Sequence, residues 1–384
     1  MNGWPRMEQV TTDKNMKNCD GDKLETFFPE MEQRRARLTR YWRGEDIGRM
    51  PVSLMPFDMH ARQIFDDLDF QIEKMLRFTE RVLTLPGDMI PIFWPDYGTV
   101  ALASTFGGEL RREGDGANIW IKPVLVSLDE VKNLEPPNPI SGLVLKEFEA
   151  CRKWRDVAGG TIPVSFPDIQ GPVNIASMLI DTTELICGMY EKPEVVHSLL
   201  RLCTDVIISV VEAYRKEFGE LLAPITWPHI WFPKEYGITL TQDSIPMLSP
   251  KLYREFELSL VKEISERLGG VYIHCCGEFE HVLEEVKEIP NLRGVDHAYP
   301  MSHADKILSA LGTDITITSG VASRGDPEFP SYDLYLEHLL SVLPKGARFW
   351  PILPANDVKV TSHSLELLGL SEMREKYLAA NAGS

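Results

Sequence analysis

The chain has 384 residues, 43% of them hydrophobic and 25% charged, and its 40 Lys and Arg against 57 Asp and Glu give a formal charge of −17. Such a composition can bury a large core and excludes a disordered or fibrous protein. So negative a balance argues against nucleic acid as a partner, since phosphate neutralisation needs a basic stripe and the densest cationic run is Arg34-Arg35-Ala36-Arg37.

No apolar stretch reaches the roughly 18 residues of a membrane span. Segment 1–23 is polar, with acidic and basic residues interspersed, and lacks the apolar core of a signal peptide. Six cysteines are too sparse for a disulfide framework in a chain of this length. Together these features predict a cytoplasmic protein with free thiols and without a membrane partner.

In chain order, residues 1–44 read as a tail and then a helix over 24–42, whose exposed face would carry Glu30, Glu32, Arg34, Arg35 and Arg37. From residue 45 a rhythm sets in. Short apolar runs, each ending in Pro, Gly or a polar residue, alternate with helical stretches. The runs are Pro51-Val-Ser-Leu-Met-Pro56, Met89-Ile-Pro-Ile-Phe-Trp94, Ile162-Pro-Val-Ser-Phe166, Leu221-Leu-Ala-Pro-Ile-Thr-Trp227, Val271-Tyr-Ile-His-Cys275, Leu292-Arg-Gly-Val-Asp296, Ile315-Thr-Ile-Thr-Ser319 and Arg348-Phe-Trp-Pro-Ile-Leu353.

The clearest amphipathic helices between and after these runs span 250–268, 279–288, 332–343 and 364–380. Parallel strands joined by crossover helices produce this alternation. Eight units predict an α/β protein, a closed (β/α)8 TIM barrel over 45–384. The surplus length falls at about 107–139, where Gly114-Asp115-Gly116 separates two strand-like arms and Pro136-Pro137-Asn138-Pro139 follows as a stiff connector. A β-hairpin inserted over one end of the barrel is the expectation.

Catalytic groups of barrel enzymes sit where strands end. Those ends offer Asp58 and His60, Asp96 and Tyr97, Asp168 and Gln170, His229, the group His274-Cys275-Cys276, Asp296 and His297, Ser319, and Asn356 with Asp357. With His303, five of the nine histidines fall near one face. The sharpest signal is His274-Cys275-Cys276, because alternate residues of a strand share a face and the imidazole and the Cys276 sulfur would project together. Zinc accepts that pair, and a third donor plus an open position would make a catalytic site. The plainer alternative is a buried histidine hydrogen-bonded to backbone beside two cysteines acting as small core hydrophobes.

Asp243-Ser-Ile-Pro-Met-Leu-Ser-Pro250, Tyr253-Arg-Glu-Phe256 and His274-Cys-Cys-Gly277 resemble the uroporphyrinogen decarboxylase superfamily, closest to its corrinoid-linked methyltransferase branch. Phe166-Pro-Asp-Ile-Gln-Gly-Pro172 and Lys192-Pro-Glu-Val-Val196 are similar to the family too. The resemblance implies the same barrel. For the methyltransferase branch it implies zinc on His-x-Cys and on a second cysteine near the last strand, lowering a substrate thiol's pKa for attack on a corrinoid-bound methyl group. His274 and Cys276 match the first two positions, while Phe349-Trp-Pro-Ile-Leu-Pro-Ala-Asn356 supplies no thiol for the third.

His229 is the first substitute, then His297, then Asp296, with Asp243 a further carboxylate within the same argument. Cys275 would face away and be structural. Asp296 ends a strand, where it could orient a ligand histidine or take a proton, and Asp243 either shares the chemistry or closes a turn. Asp296, His297 and Asp243 are thus the catalytic candidates. Trp94, Tyr97, Trp227, Trp231 and Tyr236 would line an aromatic mouth; Asp96, Arg62 and Gln170 join Trp94, Tyr97 and Trp227 as substrate contacts.

The reading is a methyltransferase using zinc and a corrinoid, free or on a partner protein, with a thiol or tetrahydrofolate as acceptor. Two others stand beside it. A metal-independent decarboxylase would use Asp96, Asp296 and Arg62, although the single arginine in Met59-His-Ala-Arg62-Gln63 poorly matches a substrate bearing many carboxylates. A non-catalytic barrel would explain the missing cysteine. No Gly-x-Ser-x-Gly or Gly-x-x-x-x-Gly-Lys segment occurs, so a nucleophile elbow and a phosphate loop are excluded.

Overall fold

The computed structural model describes residues 25–56, 67–95, 97–113, 118–223, 230–298, 301–319 and 329–382. Among them eight strands form: β1 (Ser53–Met55), β2 (Leu110–Glu113), β3 (Asn118–Ile121), β4 (Ile238–Thr241), β5 (Val271–Cys275), β6 (Leu292–His297), β7 (Thr316–Ser319) and β8 (Arg348–Pro354). β2 and β3 pair antiparallel as the inserted hairpin. The other six make one parallel sheet in the order β1-β8-β7-β6-β5-β4. Every residue of β4 and β5 is buried, which is why parallel strands covered on both faces read as near-continuous apolar runs.

Single contacts carry the ring onward from β1 to β4. The Asp88 N–H donates to Val52 O at 2.8 Å, Phe93 bridges Val164, and Gln170 bridges Thr241. Residues 89–94 and 162–170 therefore stand as the second and third segments of a (β/α)8 barrel, with β4 as the fourth. The run expected at 221–227 contributes a bridge from Leu222 to Val164, and 224–227 lies outside the described residues. Ile-Thr-Leu-Thr in β4 is apolar or β-branched throughout.

Helices supply the outer layer. Pro193–Phe218 buries Val196, Leu199, Leu200, Cys203, Ile207, Val210, Val211 and Tyr214, the stripe of a one-sided helix. The stretch 250–268 is helical throughout but passes through a π-helical turn at Tyr253–Leu258. The helix expected over 364–380 is instead two, Val358–Leu367 and Ser371–Asn381, broken where Gly369 adopts φ +71°. No helix among the described residues is long and apolar enough to cross a membrane.

The N-terminal helix Phe28–Trp42 packs beneath the barrel. Tyr41 hydrogen-bonds Thr316 at the start of β7, Arg348 at the start of β8 donates to Tyr41 O, and the Trp42 indole N–H donates to Trp231 O. These contacts lie at the amino end of the strands. Arg34 departs from the sequence expectation of an exposed face, since only 1% of it is accessible. Its guanidinium donates to Leu85 O (2.7 Å), Met89 O (2.8 Å) and Val82 O (3.2 Å), and its Nε to Glu30 (3.0 Å). Val82 and Leu85 lie at the end of helix Leu68–Thr84, so the cation satisfies carbonyls that the helix leaves open.

Arg34→Ala strands those carbonyls in a dry environment and is expected to lower the unfolding free energy by about 3 kcal/mol. Arg34→Lys, with one nitrogen in place of the planar fork, should recover only part of the loss. Urea denaturation of the three proteins measures both effects.

Candidate metal centre

Parallel pairing places Thr241, His274, Asp296 and Thr318 side by side on β4, β5, β6 and β7. A register shift between Val271 and Tyr272 makes this alignment: Val271 pairs with Leu292, Tyr272 already pairs with Gly294, and Arg293 is passed over. Neighbours in register share a face, so the four side chains turn the same way near the carboxyl ends of their strands.

The His274 Nδ1–H donates to Asp296 Oδ2 at 2.6 Å, and the Thr318 hydroxyl donates to Asp296 Oδ1 at 2.7 Å. With its own proton committed, Thr318 receives from the Tyr272 hydroxyl at 2.9 Å, which is shared with Val295 O at 3.0 Å. Asp296 is only 2% exposed, and these partners offset the cost of burying its carboxylate. Gly294 makes the crossing possible, because a Cβ there would lie 2.4 Å from Tyr272 Cε2 and 2.1 Å from Thr316 O.

The bond to Asp296 holds a proton on Nδ1 and turns His274 Nε2 outward, where it lies 3.0 Å from Cys276 Sγ. Burial favours the neutral imidazole, but the hydrogen bonds and charges of Asp296 and Cys276 outweigh it and hold the His274 pKa well above the ordinary value. Asp243 Oδ1 accepts the Cys276 backbone N–H at 2.8 Å. One donor atom from each of Asp243, His274 and Cys276 falls within 4.8 Å of the others, with His274 buried and the other two exposed.

One nitrogen, one sulfur and one oxygen, open on the solvent side, are donor types that zinc accepts, and three of them would leave a position free. The carboxylate behind the imidazole is the usual outer partner of a metal-ligating histidine. These residues fit the ion.

The other expected residues divide by position. Asp296 stands behind His274 with both oxygens engaged by protein. His297, one residue beyond Asp296, faces the opposite side, where Nδ1 lies 2.8 Å from Thr318 O and Nε2 3.4 Å from Tyr335 OH on helix Tyr332–Val342. Burial lowers its pKa, and it is a core histidine. Cys275 also turns to the core, its thiol near Gly277 O and its pKa pushed up by burial.

Gln170 is buried, donating to Asp168 Oδ2 at 2.8 Å and accepting from Asn174 at 2.7 Å. Trp94 and Tyr97 are buried. Trp231 and Tyr236, expected at the mouth, belong to the amino end, where Trp231 O accepts from Trp42 and the Tyr236 ring packs 6.1 Å from the Trp42 ring. His229, Arg62, Asp96 and Trp227 lie outside the described residues.

Sequence reasoning missed Glu257. The π-helical turn brings it inward, where Oε1 accepts from Gln242 Nε2 at 2.9 Å and Oε2 from Val173 N at 3.1 Å. Burial outweighs both donors and pushes its pKa up to about 7. A π turn shifts the helical phase, so an α-helical reading of residues 253–258 does not assign Glu257 to the buried face.

Fold and site together define a (β/α)8 barrel with metal-type donors at its carboxyl end. Residues 33–318, more than half of the chain, match the family model of uroporphyrinogen decarboxylase (URO-D), and the chain belongs to that family. Among solved structures, a methyltransferase from Methanosarcina mazei is similar with a TM-score of 0.65 and 16% sequence identity, covering 90% of this chain and 98% of its own. No curated protein sequence matches the chain.

Glu257 makes stability depend on pH. Its folded pKa of about 7 stands above the ordinary value of 4.5, so the folded protein keeps a proton that the unfolded chain releases. Stability is full below the unfolded value, declines as pH rises through this window, and levels off above the folded value, with a total on the order of 3 kcal/mol. Glu257→Gln should remove this component. The difference between wild-type and variant urea midpoints, taken from about pH 5 to about pH 8, reads it directly.

Proposed function

We propose that the protein is a zinc-dependent methyltransferase moving a methyl group between a corrinoid, free or carried by a partner protein, and a thiol or tetrahydrofolate acceptor. The observation carrying this reading is the meeting of Asp243, His274 and Cys276 at the barrel's open end with Asp296 behind the imidazole. The shared fold with the Methanosarcina mazei methyltransferase supports it. Free cysteines, Cys276 among them, suit a reducing compartment such as the cytoplasm.

His274 Nε2, Cys276 Sγ and an Asp243 oxygen would hold the ion. When bound, zinc supplies a Lewis acid that lowers the pKa of a substrate thiol, leaving a thiolate able to attack a corrinoid-bound methyl group. Asp296 holds a proton on Nδ1, so Nε2 is the nitrogen that faces the site and would give up its proton on taking the ion. Thr318 and Tyr272 hold Asp296 in that role. The exposed placement of Asp243 and Cys276 leaves the outer side to substrate.

Metal analysis of freshly purified protein should find one zinc per chain, lost in His274→Ala. Methylcobalamin mixed with the zinc protein and a thiol or tetrahydrofolate should show the spectral change of cobalt losing its methyl group. Silence of metal-replete protein with every acceptor would sink the methyltransferase reading. Active metal-free protein would favour the decarboxylase.

Asp296→Asn preserves shape but removes the charge that orients His274. It should weaken zinc about 10- to 100-fold while leaving the circular dichroism spectrum intact. Unchanged affinity in a chelator competition would mean that Asp296 has no part in holding the ion.

A further inference from the structure

Asp243 lies in segment 241–244, which leaves β4 and turns across the barrel mouth. On its near side this segment is tied to the sheet: the Gln242 N–H donates to His274 O at 2.8 Å. On the far side the tie comes from another element. Asn174, on helix Pro172–Leu179 and only 3% exposed, donates from Nδ2 to Thr241 O at 3.1 Å and accepts from the Ser244 N–H at Oδ1 at 2.9 Å. One side-chain amide thus joins the carbonyl before Asp243 to the N–H after it.

The orientation of that amide is determined by its neighbours. Nδ2 also donates to Gln170 Oε1 at 2.7 Å, and Gln170 Nε2 donates to Asp168, so two carbonyl oxygens face the Asn174 nitrogen and one N–H faces its oxygen. A flipped amide would set acceptor against acceptor. A carboxylate in its place would do the same at the Nδ2 position.

Building on the zinc reading above, we infer that Asn174 is a positioning residue for Asp243. It touches neither the ion nor the substrate. By clamping the backbone on both sides of Asp243, it holds the carboxylate where one oxygen accepts the Cys276 N–H and the group stays within reach of His274 and Cys276. Freed from Ser244, the segment keeps its tie to β5 but loses the constraint that fixes Asp243 beyond it. Residues that orient metal ligands are worth about 10- to 100-fold in affinity, and Asn174 should fall in this range.

The test uses the full chain with cobalt(II) in place of zinc, read by its visible absorption and by titration. Wild type, Asn174→Ala, Asp243→Ala and the double variant form a cycle. Each single variant should bind cobalt more weakly and with altered bands. The double variant should bind no more weakly than Asp243→Ala, because Asn174 acts only through that carboxylate.

Asn174→Asp keeps the shape and one acceptor while replacing the donor with an oxygen. It should lose at least as much affinity as Asn174→Ala, and it stands in for Ala in the cycle if that variant does not fold. Wild-type affinity in the Asn174 variants, or a double variant weakened by the product of the two single losses, overturns the inference and leaves the zinc reading standing. Failure of the wild-type chain to take up cobalt overturns both.

Discussion

A buried carboxylate must be met by donors, and in this barrel the bond between Asp296 and His274 imposes that requirement on several strands at once. Asp296 spends one oxygen on the imidazole and the other on Thr318, so β5, β6 and β7 have to be held in one register for either bond to form. The extra residue Arg293 secures it. Without the shift at Val271 and Tyr272, His274 would stand opposite Val295, and Asp296 would be displaced by one residue. The side chain of Arg293, the residue passed over in the ladder, donates from Nε to Tyr236 O and from its guanidinium to Gly269 O, tying the bulge to the start of β4 and the turn before β5. Gly294 completes the arrangement by giving the Tyr272 ring room to reach Thr318.

The two ends of the barrel answer to different demands. At the amino end the N-terminal helix brings Tyr41, Trp42 and Arg34 against strand starts and helix ends, and polar atoms there are matched by protein partners. Arg348 stacks 4.4 Å over the Tyr41 ring and donates to its carbonyl. That end is built for stability. At the carboxyl end the buried tier of Asp296, Thr318 and Tyr272 supports an exposed tier of Asp243 and Cys276, with His274 joining the two. A rigid floor under an open rim is what a site needs when its donors must stay fixed while the substrate side remains accessible.

What could be read from the sequence followed the range of the interactions involved. The His274 and Cys276 pair was legible because a spacing of two on a strand carries its own geometry, and the parallel rhythm was legible because each strand is a local apolar run. The same parity places His297 opposite Asp296, a distinction that nearness to the strand end does not carry. Arg34 read as surface because charge on a helix usually is, and only the carbonyls of residues 82, 85 and 89 reveal its burial. Trp231 and Tyr236 were misplaced for a related reason: aromatic character gives burial but not which end of a barrel is buried. Asp243 was one carboxylate among several, since its approach to Cys276 depends on a turn and on an amide 69 residues earlier in the chain, at Asn174.

The source of the third donor follows from how the ring is filled. The β8 residue in register with Thr318 is Trp350, fully buried, its indole N–H donating to Ser53 and its ring packed 5.6 Å from Tyr41. An indole committed to the amino-end cluster leaves that position without a ligand atom. On the other flank of His274, β4 ends in Thr241 and the chain turns at once through Asp243, which reaches back to the Cys276 backbone. In the proposed zinc site, a carboxylate there keeps the formal charge that a second thiolate would bring while replacing a soft donor with a hard one. Trp350 thus ties β8 to the aromatic packing that anchors the N-terminal helix, while the carboxylate nearest His274 and Cys276 comes from the turn after β4, on the other side of His274.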